Sequence, residues 1–276
     1  MQVLEMPKLQ ELVPAAFAKE PAARMSEEYQ FIDTVKIIDA MTDLNYYPVR
    51  AMQTRSRKAE KKGYAKHMIV FRTPDAEDLG EYTPELLYTG SHDGTALAEW
   101  WLGVFRQICS NGLVVKTADY GLMSVKHKGA SVEQQVEAAI QEVGERVPVV
   151  QDAIRDWRGL GLSPDQEHEL AVQMLRIRYG EVGMAPVLPQ ELYQNIRRQE
   201  DTSNDLWTVF NRMQENVMKG GLSSGFRGER RMRTTRPIRG VSETIRFNSE
   251  AWAAADALAK ELLRKAANSP VEALEA

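Results

Sequence analysis

A chain of 276 residues that is 43% hydrophobic and 27% charged has an ordinary globular composition, with enough apolar material for one large core or two small ones. No apolar run reaches the roughly 18 residues of a spanning helix, and Glu5, Pro7 and Glu11 stand where a signal peptide would be apolar, so a cytoplasmic protein that meets no membrane is expected. The net charge of −4 argues mildly against a nucleic-acid partner, and the single cysteine, Cys109, excludes an internal disulfide.

After a proline-punctuated N-terminal arm over 1–30, Val35, Ile38, Met41 and Leu44 recur at helical spacing, which predicts a helix from Phe31 to Asn45 capped by Asp33 or Thr34. The stretches Tyr46 to Arg57, Lys66 to Arg72 and Tyr82 to Ser91 are rich in β-branched and aromatic residues and read as three strands. Asp93-Gly94 then turns the chain. Leu97, Trp101, Val104, Phe105 and Ile108 predict a second helix, capped by Thr95 and closed by Asn111-Gly112. Two short strands, Leu113 to Val115 and Leu122 to His127, are expected around the Tyr120-Gly121 turn.

Ser131 with Gln134, and Ser163 with Gln166, are capping boxes that open a long helix toward Trp157 and another to about Tyr179. Asn204 caps a helix that Gly220-Gly221 stops, and a last helix is expected from about Asn248 to Lys265. The fold class is therefore α+β. An antiparallel three-stranded meander flanked by helices occupies 31–130, and a mainly helical half follows over 131–268, with a basic arm at 219–246 and a disordered tail at 269–276.

Several motifs occur in one order along this frame: Gln53-Thr54-Arg55-Ser56-Arg57, Ser91-His92-Asp93-Gly94, Phe105 to Val115, Asn204-Asp205-Leu206-Trp207 and Gln214-Glu215-Asn216, then Arg230-Arg231-Met232-Arg233-Thr234. Together they resemble the phage- and plasmid-like proteins of domain of unknown function 932. The resemblance implies a mobile-element origin and brings no assigned activity.

No catalytic constellation stands out. His67, His92, His127, His168 and Cys109 are too scattered for a structural zinc site, so neither metal nor cofactor is expected. Ser91-His92-Asp93 holds the residue types of a triad, but consecutive side chains cannot line up nucleophile, base and orienter. The glycine-rich run from Gly220 to Gly228 follows a helix and lacks the Gly-Lys-Ser/Thr of a P-loop. Asp152 and Asp156 share a helix face as any solvated acidic face would, and a metal-dependent enzyme built on His92 and Asp93 ranks last.

Charge, by contrast, is segregated. From Arg50 to Arg72 eight basic residues face one Glu; from Lys219 to Arg246 eight face two; between Ser131 and Glu215 fifteen acidic residues outnumber eight basic ones. Clustered Arg and Lys neutralise phosphates with release of counterions. The expected nucleic-acid contacts are Arg55, Arg57, Lys58, Lys61, Lys62, Lys66 and Arg72 in the first segment, with Tyr47 and Tyr64 available to stack on bases. In the second they are Arg227, Arg230, Arg231, Arg233, Arg236 and Arg239, on an exposed arm that would wrap as a mobile clamp.

The helix, three-strand, helix order is similar to the core of phage single-strand annealing proteins and of the eukaryotic radiation-repair annealing protein, a likeness of fold alone. It implies a homo-oligomer that binds and anneals single-stranded DNA without ATP. The competing expectation is a host-takeover factor whose basic arm docks on an acidic host protein.

Overall fold

A computed structural model of the chain describes residues 1–26, 29, 31–55, 58–75, 82–106, 112–114, 131–227, 230–231 and 233–268. It divides into two units, Met1–Pro148 with Arg239–Asn248, and Val149–Ile238 with Ser249–Ala276. Among the described residues no helix is long and apolar enough to cross a membrane.

The first unit opens with helix α1 (Met6–Leu12) and a 3-10 turn (Pro14–Phe17), each with proline in its first turn, where a missing N–H costs nothing. Leu9, Val13, Ala15 and Ala16 are buried, so these prolines mark helix starts and not a loose arm. Helix α2 (Thr34–Asp43) is capped by Asp33, whose side chain accepts from the Val35 N–H at 3.0 Å, and Asn45 leaves it with φ 65°. It buries Ile37, Ile38 and Met41.

Strand β1 (Tyr47–Gln53), the short helix α3 (Ala59–Lys62), then β2 (His67–Arg72), β3 (Tyr82–Gly90), β4 (Glu99–Arg106) and β5 (Gly112–Val114) follow. The strands form one antiparallel sheet in the order β1-β2-β3-β4-β5. The three expected strands are present, but the meander has four long strands and a three-residue fifth. The helix expected from Leu97 to Ile108 is β4, so Thr95 caps no helix, and Asp93-Gly94 turns one strand into the next.

The physical reason for that misreading is burial on both faces. The register aligns Ile69, Tyr88 and Trp100 on one face and Val70, Leu87 and Trp101 on the other. Trp100 packs on Tyr88 and Phe71, with ring centroids 5.1 and 6.4 Å apart. Trp101 joins Met68, Val70, Leu87, Val241 and Ile245 in a separate buried cluster. A strand covered on both faces reads as a continuous apolar run, and periodicity cannot tell it from a buried helix.

Helix α4 (Val132–Gly159) opens with the expected capping box: Ser131 N–H donates to Gln134 Oε1 at 3.1 Å, and Gln134 N–H to Ser131 Oγ at 3.3 Å. The expected strand at 122–127 lies outside the described residues.

The second unit is helical. It takes the end of α4, then α5 (Pro164–Tyr179) with its capping box intact, α6 (Gln190–Gln194), α7 (Leu206–Lys219), the two-residue strands β6 (Phe226–Arg227) and β7 (Arg230–Arg231), and the later part of α8 (Val241–Asn268). Trp157, Trp207, Phe210 and Trp252 meet at its centre, with Trp157 and Trp252 centroids 4.4 Å apart.

Every residue of α7 from Leu206 to Val217 is buried, polar ones included, so each needs an internal partner. Asn216 donates to the Leu192 and Asn195 carbonyls at 2.9 and 2.8 Å, and Glu215 takes Arg198 and, at 2.6 Å, Lys219. The cap of α7 is Asp205, which accepts from the Thr208 N–H at 2.9 Å. Asn204, the expected cap, instead donates to the Leu162 carbonyl. Helix α8 likewise starts before Asn248, which donates to the Thr244 carbonyl at 2.8 Å inside the helix. The tail 269–276 lies outside the described residues.

Candidate functional site

Among the described residues, exposed cations stand at two of the expected places, one in each unit. In the first unit the chain leaves β1 at Gln53 and crosses to β2 through α3. Gln53 donates to the Lys62 carbonyl at 2.7 Å, and Thr54 N–H to the Lys66 carbonyl at 2.8 Å, so this crossing is fastened at both ends to the sheet. Arg55, Lys58, Lys61 and Lys62 are exposed on it, and Tyr64 and Lys66 are half-buried at its return. Arg57 lies outside the described residues. Tyr47 is half-buried in β1.

Arg72 differs from its neighbours. Its guanidinium meets Glu85 at 2.5 Å, and the same carboxylate pairs with Arg50. Glu85 is 1% exposed, so two arginines neutralise one buried carboxylate, and the charge of Arg72 serves the sheet.

The second concentration lies in the segment expected as a mobile arm. Its base is tied instead: Gly221 N–H donates to the Thr235 carbonyl, Thr235 N–H to the Leu222 carbonyl, and Ile238 N–H to the Met218 carbonyl, at 2.9, 2.9 and 3.0 Å. Leu222, Thr235 and Ile238 are buried. Arg227 in β6 faces Arg230 in β7 across a hairpin pairing that also joins Phe226 to Arg231. The segment therefore folds back on itself as a hairpin. Arg239 is exposed and belongs to the first unit.

Arg233 and Arg236, both exposed, project from this hairpin's returning limb and line a cavity of about 740 Å³. The other lining residues are Arg178 and Tyr179 from the end of α5, Met184 and Pro186 from the connection after it, and the hydroxyl-bearing Ser223 and Thr234. Arg178 sits 5.5 Å over the Tyr179 ring, an arrangement that keeps its cation in place. Burial raises the Tyr179 phenol pKa, with Arg178 pulling against it, so the hydroxyl is a neutral donor at physiological pH. No carboxylate among the described residues pairs with Arg233 or Arg236.

The C-terminal end of a helix bears a partial charge of roughly −0.5, which disfavours anions. Arg233 and Arg236, which no described carboxylate pairs, line the cavity beside that helix end and make its rim basic. Sequence reading found Arg233 and Arg236 and missed Arg178 and Tyr179, which look like an ordinary basic last turn balancing the helix dipole.

Three sequence motifs resolve into structural roles. In Ser91-His92-Asp93, Ser91 Oγ bonds to the Ala96 backbone, and Asp93 accepts from the Thr95 N–H at 3.1 Å. His92 turns inward to Thr34. Gln214-Glu215-Asn216 and Asp205-Leu206-Trp207 build α7 and its packing. A pocket of about 410 Å³ beside α2 is lined by Asp39, Asp43, Glu133, Glu137 and Lys36, yet among the described residues no group of three or more His, Cys, Asp or Glu could hold a metal ion.

An α+β protein with a five-stranded antiparallel sheet, a helical second unit and basic surfaces on both is the class these features define. The sequence model described as "Domain of unknown function (DUF932)" matches residues 22–252, and the chain belongs to that family. It is similar to UPF0380 protein YfjQ of Escherichia coli (strain K12), 36% identical over 254 residues that cover 91% of this chain and 90% of that protein. It is similar also to UPF0380 protein YafZ of the same organism, 35% identical over 253 residues with the same coverage. No solved structure matches the chain significantly.

Proposed function

We propose that this protein binds nucleic acid for a phage- or plasmid-like element, holding single-stranded DNA by its phosphates so that complementary strands can anneal without a cofactor. The observation that carries the reading is the cavity where Arg178, Arg233 and Arg236 converge with Tyr179, Ser223 and Thr234. Guanidiniums and hydroxyls are the groups that bind phosphate oxygens, and an aromatic ring beside them suits a base. The exposed Arg55, Lys58, Lys61 and Lys62 supply a second place for backbone contact. Such contacts position a strand without reading its sequence, and self-association would hold many bases at once.

The test is fluorescence anisotropy with a labelled single-stranded oligonucleotide at several salt concentrations, with a duplex as competitor. Salt-sensitive binding that prefers single strands supports the proposal and makes annealing the next assay. No binding at low salt overturns it and favours an acidic host protein as the partner.

A further inference from the structure

The two basic surfaces differ in shape, and the difference separates two kinds of phosphate. On the crossing between β1 and β2 the cations are spread along exposed chain, which suits successive phosphodiesters of one charge each. In the second unit Arg233 and Arg236, which no described carboxylate pairs, are gathered on one cavity with two hydroxyls, and Arg178 lines it beside them. A single phosphodiester carries one negative charge, so this density exceeds what it needs. A phosphomonoester carries about two at neutral pH, together with three terminal oxygens to be bonded.

The rest of the lining argues for an organic moiety attached to that phosphate. Met184 is 72% exposed at the cavity, and Pro186 and the Tyr179 ring stand with it. An exposed methionine set beside a proline and an aromatic ring gives the cavity an apolar wall, and a methionine adapts its shape to a flat partner. A volume of about 740 Å³ lies within the range of small-ligand sites and is far more than a bare phosphate fills.

We propose that this cavity is a nucleotide-end pocket: it binds a nucleotide through a terminal phosphomonoester, with Arg178, Arg233 and Arg236 on the phosphate and Met184 and Tyr179 against the base or sugar. The inference rests on the nucleic-acid reading and narrows it. The same chemistry is offered by the 5′-phosphorylated end of a strand and by a free mononucleotide, and the strand end is the expected source.

The experiment compares the full chain's affinity for one oligonucleotide carrying either a 5′-phosphate or a 5′-hydroxyl, with a nucleoside 5′-monophosphate and inorganic phosphate as competitors. The 5′-phosphorylated strand should bind roughly tenfold more tightly, as added charge-assisted hydrogen bonds imply. That advantage should disappear in Arg233→Gln and Arg236→Gln, both at exposed positions where folding tolerates change; affinity for the 5′-hydroxyl strand should fall as well, but by less. Competition by the monophosphate at concentrations where inorganic phosphate is inert would make the free nucleotide a ligand as well. Equal affinity for the two strands in the wild-type protein overturns the pocket and leaves the nucleic-acid reading standing. Absence of binding to either strand, with the monophosphate still bound, overturns that reading and makes a free nucleotide the ligand.

Discussion

His67 and His92 lie with their rings 5.3 Å apart and turn their Nε2 atoms to one hydroxyl, that of Thr34, at 3.1 and 3.3 Å. A threonine hydroxyl donates once and accepts twice, which fixes the protons. His67 Nδ1 sits 3.1 Å from the Ala65 carbonyl and must carry the hydrogen, so its Nε2 accepts from Thr34. His92 Nε2 then donates to Thr34, and His92 Nδ1 is left as a buried, bare acceptor, consistent with its having no hydrogen-bond partner.

This arrangement is neutral, and acid should break it. Burial pushes His67 down to about 3, helped by His92, and burial lowers His92 to about 4 against the opposing pull of Asp33 and Asp93. The unfolded chain takes up these protons near pH 6.5, so the stabilisation is complete above that value and declines as pH falls toward 4 and 3. At pH 5 each histidine costs about 2 kcal/mol. Urea denaturation at pH 7 and pH 5 should show the loss, and His92→Gln should flatten the pH dependence. An unchanged midpoint at pH 5 would contradict the buried neutral pair.

Thr34→Val keeps the shape and deletes the shared hydroxyl, leaving the Nε2 atoms of His67 and His92 to seek other partners. The expected loss is about 1–3 kcal/mol, and Thr34→Ser should recover most of it. Equal stability of the valine and serine variants would show that the hydroxyl contributes nothing.

Glu85 was not singled out in the sequence, because a Glu inside an apolar strand has no signature until its partners are known. Its role depends on Arg50 and Arg72, which are far apart along the chain and adjacent in the sheet. Local signals fared better: the capping boxes at Ser131 and Ser163, the α2 cap and the first three strands were legible because their chemistry lies within a few residues. Strand β4 was not, since burial on both faces hides its period. Nor was the cavity, which joins the end of α5 to residues more than fifty positions later.

Removing the carboxylate tests that sheet cluster. Glu85→Ala leaves two guanidiniums facing each other without it and should cost about 3 kcal/mol, measured by chemical denaturation. Because Arg50 and Arg72 keep some solvent access, Glu85→Gln should cost less. A destabilised Glu85→Ala whose loss is cancelled in the Arg72→Met background would confirm that the charge pair, and not the packing, is responsible.

The basic cavity depends on a glycine. Gly220 ends α7 with φ 62° and ψ −154°, a region open in practice to glycine alone, and its N–H donates to the Asn216 carbonyl at 3.1 Å. A Cβ there would lie 2.7 Å from the carbonyl carbon of Arg236 and 2.8 Å from the Pro237 nitrogen, which are backbone atoms that cannot swing aside. Gly220→Ala therefore has to displace the returning limb that carries Arg233 and Arg236. The expected cost is about 1–3 kcal/mol from backbone strain. Gly221→Ala is the informative control: it too has positive φ, 85°, yet its added Cβ meets nothing within 4 Å. Both variants should lose stability, and Gly220→Ala alone should also lose the preference for a 5′-phosphorylated strand. If both variants keep that preference, the limb does not need this close approach to position its arginines.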